Sequence, residues 1–336
     1  MTTTGGRISV LAAVCVAGVA WAAGAASPFA GRWALTIPGG GAGWLGVEEK
    51  DGALAGSILW GGGSVLPVAG VATEGDTLVV TRIHESKKAG PDGKPVTVKE
   101  TETIRAKIAG DALSLTTERL KADGKRSDPV AFSGRRIPPM PRAPDLAKVR
   151  FGAPVALLNG RDLTGWRLTN PGQPNGWSVQ DGVLINRLPP ADGKAHPRCS
   201  NLRTDAEFED FQFSFDVRVP EKGNSGVYLR GIYEIQMADW FGKPVDSHGM
   251  GGVYSRIAPT QNTAKPAGEW QTVAITLVDR HVTVVLNGTT VIDNQPLLGC
   301  TGGAMTSDEF RPGPIYLQGD HTAVDYRNLT LRPVAK

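Results

Sequence analysis

In Phe211-Gln212-Phe213-Ser214-Phe215-Asp216-Val217-Arg218-Val219 apolar and polar side chains alternate without a break. A side-chain period of two belongs to a β-strand with one buried and one wetted face; wound as a helix, the same residues would scatter their phenylalanines around the axis. Short Val/Thr/Leu/Phe runs of this texture recur along the chain, punctuated by 43 glycines and 24 prolines. Helical periodicity is nearly missing. The expectation is an all-β protein of many short strands joined by turns.

With 336 residues, the chain exceeds the usual size of one domain and is expected to hold two of about 100–200 residues each. Pro138-Pro139-Met140-Pro141-Arg142-Ala143-Pro144 carries four prolines in seven residues and reads as the start of a stiff, extended linker, residues 138–150. Before it, residues 27–137 read as a β-meander. Candidate strands are 32–37, 43–49, 53–60, 77–84, 96–108 and 112–118, separated by turn signals such as Lys50-Asp51-Gly52 and Gly110-Asp111. The opening Phe29-Ala30-Gly31-Arg32-Trp33 resembles the Gly-x-Trp of small lipocalin-like barrels, in which the Trp plugs one end. Trp33, Trp44 and Trp60 are accordingly expected in the core. After the linker, residues 151–336 again read as antiparallel strands. Asn287-Gly288 supplies a tight hairpin turn, and a β-sandwich or jelly roll is expected.

Residues 1–26 carry Arg7, an apolar stretch over 8–19 and the small residues Ala23-Gly24-Ala25, the pattern of a cleaved export leader. A periplasmic or secreted protein with no membrane attachment after cleavage is expected, an uncleaved anchor being the alternative. Two cysteines then remain, Cys199 and Cys300, either joined as one disulfide or left as two buried thiols; two are too few for a structural zinc site. The formal net charge of +3 is spread along the chain with no basic, aromatic-laced block, so nucleic acid is not an expected partner.

Chemistry concentrates in Asn224-Ser225-Gly226-Val227-Tyr228-Leu229-Arg230-Gly231-Ile232-Tyr233-Glu234-Ile235-Gln236-Met237. Read as one strand, it turns Val227, Leu229, Tyr233, Ile235 and Met237 to one face and Tyr228, Arg230, Glu234 and Gln236 to the other. A phenol, a cation, a carboxylate and an amide in a row suit a polyhydroxylated ligand. The plainer alternative is a solvent face with an Arg230–Glu234 ion pair, and a bulge at Gly231 would shift the parity.

That segment resembles the signature of the 3-keto-disaccharide hydrolase family. So do Leu157-Leu158-Asn159-Gly160-Arg161-Asp162-Leu163-Thr164-Gly165-Trp166, Lys265-Pro266-Ala267-Gly268-Glu269-Trp270, Val285-Leu286-Asn287-Gly288 and Pro314-Ile315-Tyr316-Leu317-Gln318-Gly319-Asp320-His321. The likeness covers nearly all of residues 153–333. It implies a concanavalin-like jelly roll whose concave sheet receives the sugar, and a reaction on glycosides oxidised at C3. The keto group acidifies C2–H; a base removes that proton, the C1 aglycone leaves by β-elimination, and water adds to give the free 3-keto sugar. On this reading Glu234 is the candidate base, Arg230 or Lys265 the stabiliser of enolate charge, and His321, oriented by Asp320, the acid. Tyr228, Gln236, Asp239, Tyr254, Asn262, Lys265 and Asp320 are the expected substrate contacts, while Trp166 and Trp270 are expected in the core. His248 is expected on a mobile loop. A divalent metal chelating the 3-keto and 2-hydroxyl oxygens is left open, since Glu234, His248, Asp320 and His321 are ligand types without compact spacing. Three rivals stand beside this reading, one being that the N-terminal region is the ligand binder and the second region a scaffold. A conventional glycoside hydrolase needs two carboxylates, for which Glu234 and Asp239 have opposite parity. A carbohydrate-binding module of laminin-G-like fold would bind without turnover.

Overall fold

The computed structural model describes residues 27–89, 94–189 and 197–335; the expected export leader lies outside them. The described residues hold three β-sheets and one short 3-10 turn, Leu146–Lys148. No helix among them is long and apolar enough to cross a membrane.

The first sheet has nine strands: β1 (Gly31–Thr36), β2 (Ala42–Lys50), β3 (Ala53–Trp60), β4 (Leu66–Pro67), β5 (Gly70–Glu74), β6 (Thr77–Ala89), β7 (Pro95–Ala109), β8 (Ala112–Leu120) and β9 (Val130–Arg136). Their order is β4-β3-β2-β1-β9-β8-β7-β6-β5, every neighbouring pair antiparallel. The ends curl toward each other. Between β4 and β5, Val68 donates its backbone N–H to Gly56 of β3 and Ala69 donates to Thr81 of β6. The sheet is thus rolled into a small barrel around Trp33, Leu35, Leu45, Ile58, Leu78 and Ile104. Trp33 is fully buried, with its indole N–H on the Phe29 carbonyl. Trp44 takes the other face of β2, as the period of two requires. It is buried nonetheless, because Gly299 and the Arg256 guanidinium of the second half of the chain cover it.

The other two sheets form a jelly-roll sandwich. Its strands are β10 (Val155–Ala156), β11 (Trp166–Leu168), β12 (Trp177–Gln180), β13 (Val183–Asn186), β14 (Leu202–Thr204), β15 (Phe211–Arg218), β16 (Asn224–Leu229), β17 (Tyr233–Ala238), β18 (Gln271–Val278), β19 (His281–Leu286), β20 (Thr289–Pro296), β21 (Tyr316–Leu317) and β22 (Val324–Pro333). One sheet runs β12-β13-β22-β15-β18-β19-β20 with β10 on β22; the other runs β11-β14-β21-β16-β17. The alternating strand is β15. Phe211, Phe213, Phe215 and Val217 point inward and share one core with Val227, Leu229, Ile235 and Leu317 of the facing sheet.

The segment read as one strand is two. β16 and β17 form a hairpin, and its turn holds Arg230 and Gly231 at φ 57° and 67°. Consecutive left-handed residues are what the tight hairpin turns need. The even-numbered face survives, because the hairpin pairs Tyr228 with Glu234 and Gly226 with Gln236. Arg230 alone leaves it.

The proline segment lies between barrel and sandwich and is tied to both. Its Pro138 carbonyl accepts from Arg32 and Arg280, Pro139 from Arg280, and Pro144 from Asn294. Cys199 and Cys300 are buried free thiols, so the disulfide alternative does not hold here.

Candidate active site

The wetted face of the five-stranded sheet forms the floor of a cleft of about 340 Å³. Odd-numbered residues of β16, β17 and β21 point into the sandwich core, so Tyr228, Glu234, Gln236 and Tyr316 necessarily point out, and Gln318 continues their row. The rings of Tyr228 and Tyr316, direct cross-strand neighbours, stack at 4.4 Å. The walls come from loops: Arg198 and Asn201 on one side, Asp320 and His321 beside them, Tyr254 on the rim, and Gly302 and Gly303 opposite.

Glu234 is buried to 3% exposure. Removal from water pushes its carboxyl up to about 8; the charge of Asp320 adds to this, and the Tyr228 hydroxyl works against it. The Tyr228 hydroxyl lies 2.8 Å from Glu234 Oε2 and 2.7 Å from the Gly302 carbonyl. It owns one proton, and the carbonyl can only accept. When Tyr228 donates to Gly302, the short contact to Glu234 needs a proton from the carboxyl itself, which suits a neutral Glu234. On ionisation, the phenol proton turns to the carboxylate. The pair can therefore hold or release a proton with no movement of the backbone.

Gly226 makes room for this. The Glu234 carboxylate lies across it, and a Cβ there would fall 2.1 Å from Oε1. Gly226→Ala is expected to displace the carboxylate and lower turnover more than tenfold, about the loss that follows small misplacement of a reacting group. Circular dichroism should remain that of the parent, and an alanine variant with parental kinetics would show that the carboxylate position is not critical.

Two buried acceptors face the cleft without partners among the described residues, Gln236 Oε1 and Gln318 Oε1. Gln236 is oriented by its Nε2 donating to Asn224 Oδ1 at 3.1 Å. Unmet buried carbonyls of this kind call for a donor from outside the protein, a water or a ligand. On the wall, Nδ1 of His321 lies 2.7 Å from Asp320 Oδ1. Burial would raise the Asp320 carboxyl, but the bond and charge of His321, with Arg198, hold it below its ordinary value.

Of the residues expected from sequence, Glu234, Tyr228, Gln236, Tyr254, Asp320 and His321 come together here. Four do not line the cleft. Arg230 is buried in its hairpin turn, its Nη2 on the carbonyls of Glu309 and Arg311. A left-handed turn residue cannot keep its side chain on the strand's polar face. Asp239 accepts from the Lys222 N–H, Asn262 donates to Trp240 and Lys243, and Lys265 Nζ to Trp270; each closes a loop. Trp166 is in the core, and Trp270 lies between Arg218 and Arg327 outside the cleft. Arg198, Asn201, Asn224, Tyr316 and Gln318 are additions. The alternation of Ile315 and Leu317 with Tyr316 and Gln318 carried a signal for the last two. Among the described residues no three of His, Cys, Asp and Glu come close enough to hold a metal ion, so the donor set does not fit one. A cavity of similar size lies between Arg187, Arg218 and Asp325, but its charges already pair with one another.

Residues 153–332 match the family described as the 3-keto-alpha-glucoside-1,2-lyase-like domain. Among solved structures, one from Parabacteroides distasonis, of a protein described as a candidate glycosyl hydrolase, is 26% identical over 60% of this chain and 93% of its own, with a TM-score of 0.43. A second structure from that organism with the same description is 21% identical over 54% of this chain and 94% of its own, also at 0.43. The carbohydrate-binding module CBM66 from Bacillus subtilis is 13% identical over 52% of this chain and 96% of its own, at 0.31. No curated protein matches the chain.

Proposed function

The chain belongs to the 3-keto-alpha-glucoside-1,2-lyase-like family, and from that premise we propose that it is an exported enzyme that cleaves 3-keto-glycosides by elimination and hydration. The observation that carries the reading is a buried carboxyl, raised to about 8 and hydrogen-bonded to Tyr228, on the floor of a polar cleft. Glu234 in its ionised form takes the C2 proton of the oxidised sugar. The C–H electrons move into the C2–C3 bond, and the C3 carbonyl becomes an enolate. Arg198, not Arg230, is the cation at hand for that charge. Collapse of the enolate restores the ketone, forms a C1–C2 double bond and expels the C1 oxygen, which takes a proton from His321. Water then adds across the double bond, oxygen to C1 and hydrogen to C2. Gln236 and Gln318 accept from sugar hydroxyls through the oxygens left without partners, and the exposed part of Tyr254 covers the ring.

A proton abstraction at C2 leaves a mark that direct displacement at C1 does not. In D2O, wild-type protein should release the aglycone of a 3-keto disaccharide and place deuterium at C2 of the product. The parent, unoxidised disaccharide should remain intact. Equal cleavage of both sugars with no deuterium at C2 would instead indicate a conventional glycoside hydrolase, and binding with no aglycone released a carbohydrate-binding module.

A further inference from the structure

We propose that the N-terminal barrel is a working part of this cleft: the loop after β3, Gly61-Gly62-Gly63-Ser64-Val65, forms one wall and braces Tyr254 for the substrate. The inference rests on the sugar-cleft reading above and adds a part of the chain that the family match, residues 153–332, does not include.

Two contacts join the loop to Tyr254 from opposite sides. Ser64 Oγ lies 2.9 Å from His248 Nε2, and His248 Nδ1 lies 2.7 Å from Asp246 Oδ1. With a carboxylate at Nδ1 that nitrogen carries the proton, so in the neutral ring Nε2 accepts and the Ser64 hydroxyl donates. The imidazole so fixed meets the Tyr254 ring edge to face at 4.7 Å and 89°. On the other side, Val65 donates its N–H to Ser255 Oγ at 2.9 Å. Ser255 sits at φ 58°, a conformation a non-glycine residue adopts at a cost unless its surroundings hold it. Tyr254 between them donates its own N–H to the Glu234 carbonyl at 3.0 Å. The expected mobile-loop histidine is therefore tied to the barrel.

The glycines make the wall. Gly62 and Gly63 line the cleft with bare backbone, and Gly61 accepts from the Gly303 N–H. A Cβ on Gly302 would fall 2.0 Å from the Gly63 carbonyl. Gly302 is the residue whose carbonyl receives the Tyr228 proton. Barrel backbone thus stands directly behind the proton-holding pair. Ser64 and His248 are positioning residues: they act through Tyr254 and touch no reacting atom.

The test compares full-length Ser64→Ala and Ser64→Thr with wild type. Loss of the hydroxyl should raise KM for a 3-keto-glycoside roughly fivefold, the scale of one neutral hydrogen bond, with a smaller change in kcat, and threonine should restore KM. Hydrogen–deuterium exchange over residues 252–256 should quicken in Ser64→Ala and return in Ser64→Thr. A structural role alone would lower Tm without moving KM at temperatures well below it. Parental KM or parental exchange in Ser64→Ala would overturn the proposal. If wild type turns over no 3-keto-glycoside, the functional reading falls while the exchange comparison still decides the brace.

Discussion

Glu234→Gln is expected to lower kcat for a 3-keto-glycoside by about a hundred- to ten-thousand-fold, the range general-base catalysis contributes. Glutamine keeps the shape of the side chain and can still accept from Tyr228, so the cleft should persist and KM should change little. What is lost is the only carboxylate among the described residues of the cleft floor. Because the base must be ionised, the wild-type rate of C2–H exchange, which precedes proton donation by His321, should rise with pH and level off above about 8, the value to which burial pushes this carboxyl. A Gln variant with more than a tenth of wild-type turnover would remove Glu234 from the chemistry. A wild-type exchange profile that falls through pH 8 would remove Glu234 as the base.

The same carboxyl should leave a mark on stability, with a sign opposite to that of most carboxylates. Its folded value, about 8, lies above the ordinary 4.5. The folded state therefore binds the proton more tightly than the unfolded chain does. The stabilisation is complete below about 4.5 and is lost as pH rises to about 8, above which it stays lost. Full expression of a shift of that size is on the order of 5 kcal/mol, comparable to the whole stability of a small domain. Burial raises the Glu309 carboxyl in the same direction, so the wild-type curve alone mixes two groups. The difference between wild type and Glu234→Gln isolates one of them. Thermal unfolding should give similar Tm values near pH 5 and a progressively more stable Gln variant up to pH 9. A Tm difference independent of pH would mean that Glu234 titrates near its ordinary value.

Much of this site is legible in the sequence. Strict alternation placed Phe213 and Phe215 inside and set Tyr228, Glu234 and Gln236 on one polar face, and these do line the cleft. That face held although one strand became two. The hairpin pairs residues whose numbers differ by an even amount, so parity passes through the turn unchanged. The turn itself was concealed by Arg230, since arginine seldom adopts a left-handed backbone and Arg-Gly is a weak turn signal. Asp239, Asn262 and Lys265 misled for a different reason. A polar residue in a loop serves the loop's own backbone as readily as a ligand, and residue type does not separate the two uses. Trp44 was legible as buried, but what covers it comes from residues more than two hundred positions away. Local pattern carries no information about such a partner.

Prolines have no N–H to donate, so the four between Pro138 and Pro144 can offer only carbonyls, and Arg32, Arg280 and Asn294 take up those of Pro138, Pro139 and Pro144 from both sides. Chain segments of this composition ordinarily act as semi-rigid spacers that hold modules apart. Here the connector is a splint. A recombination that replaced the barrel with an unrelated module would take Arg32 from the Pro138 carbonyl and strip the cover from Gly299, where Trp44 now sits. Each half thus finishes the other's surface: the barrel closes over residues 299–303, and the sandwich buries the outer face of Trp44.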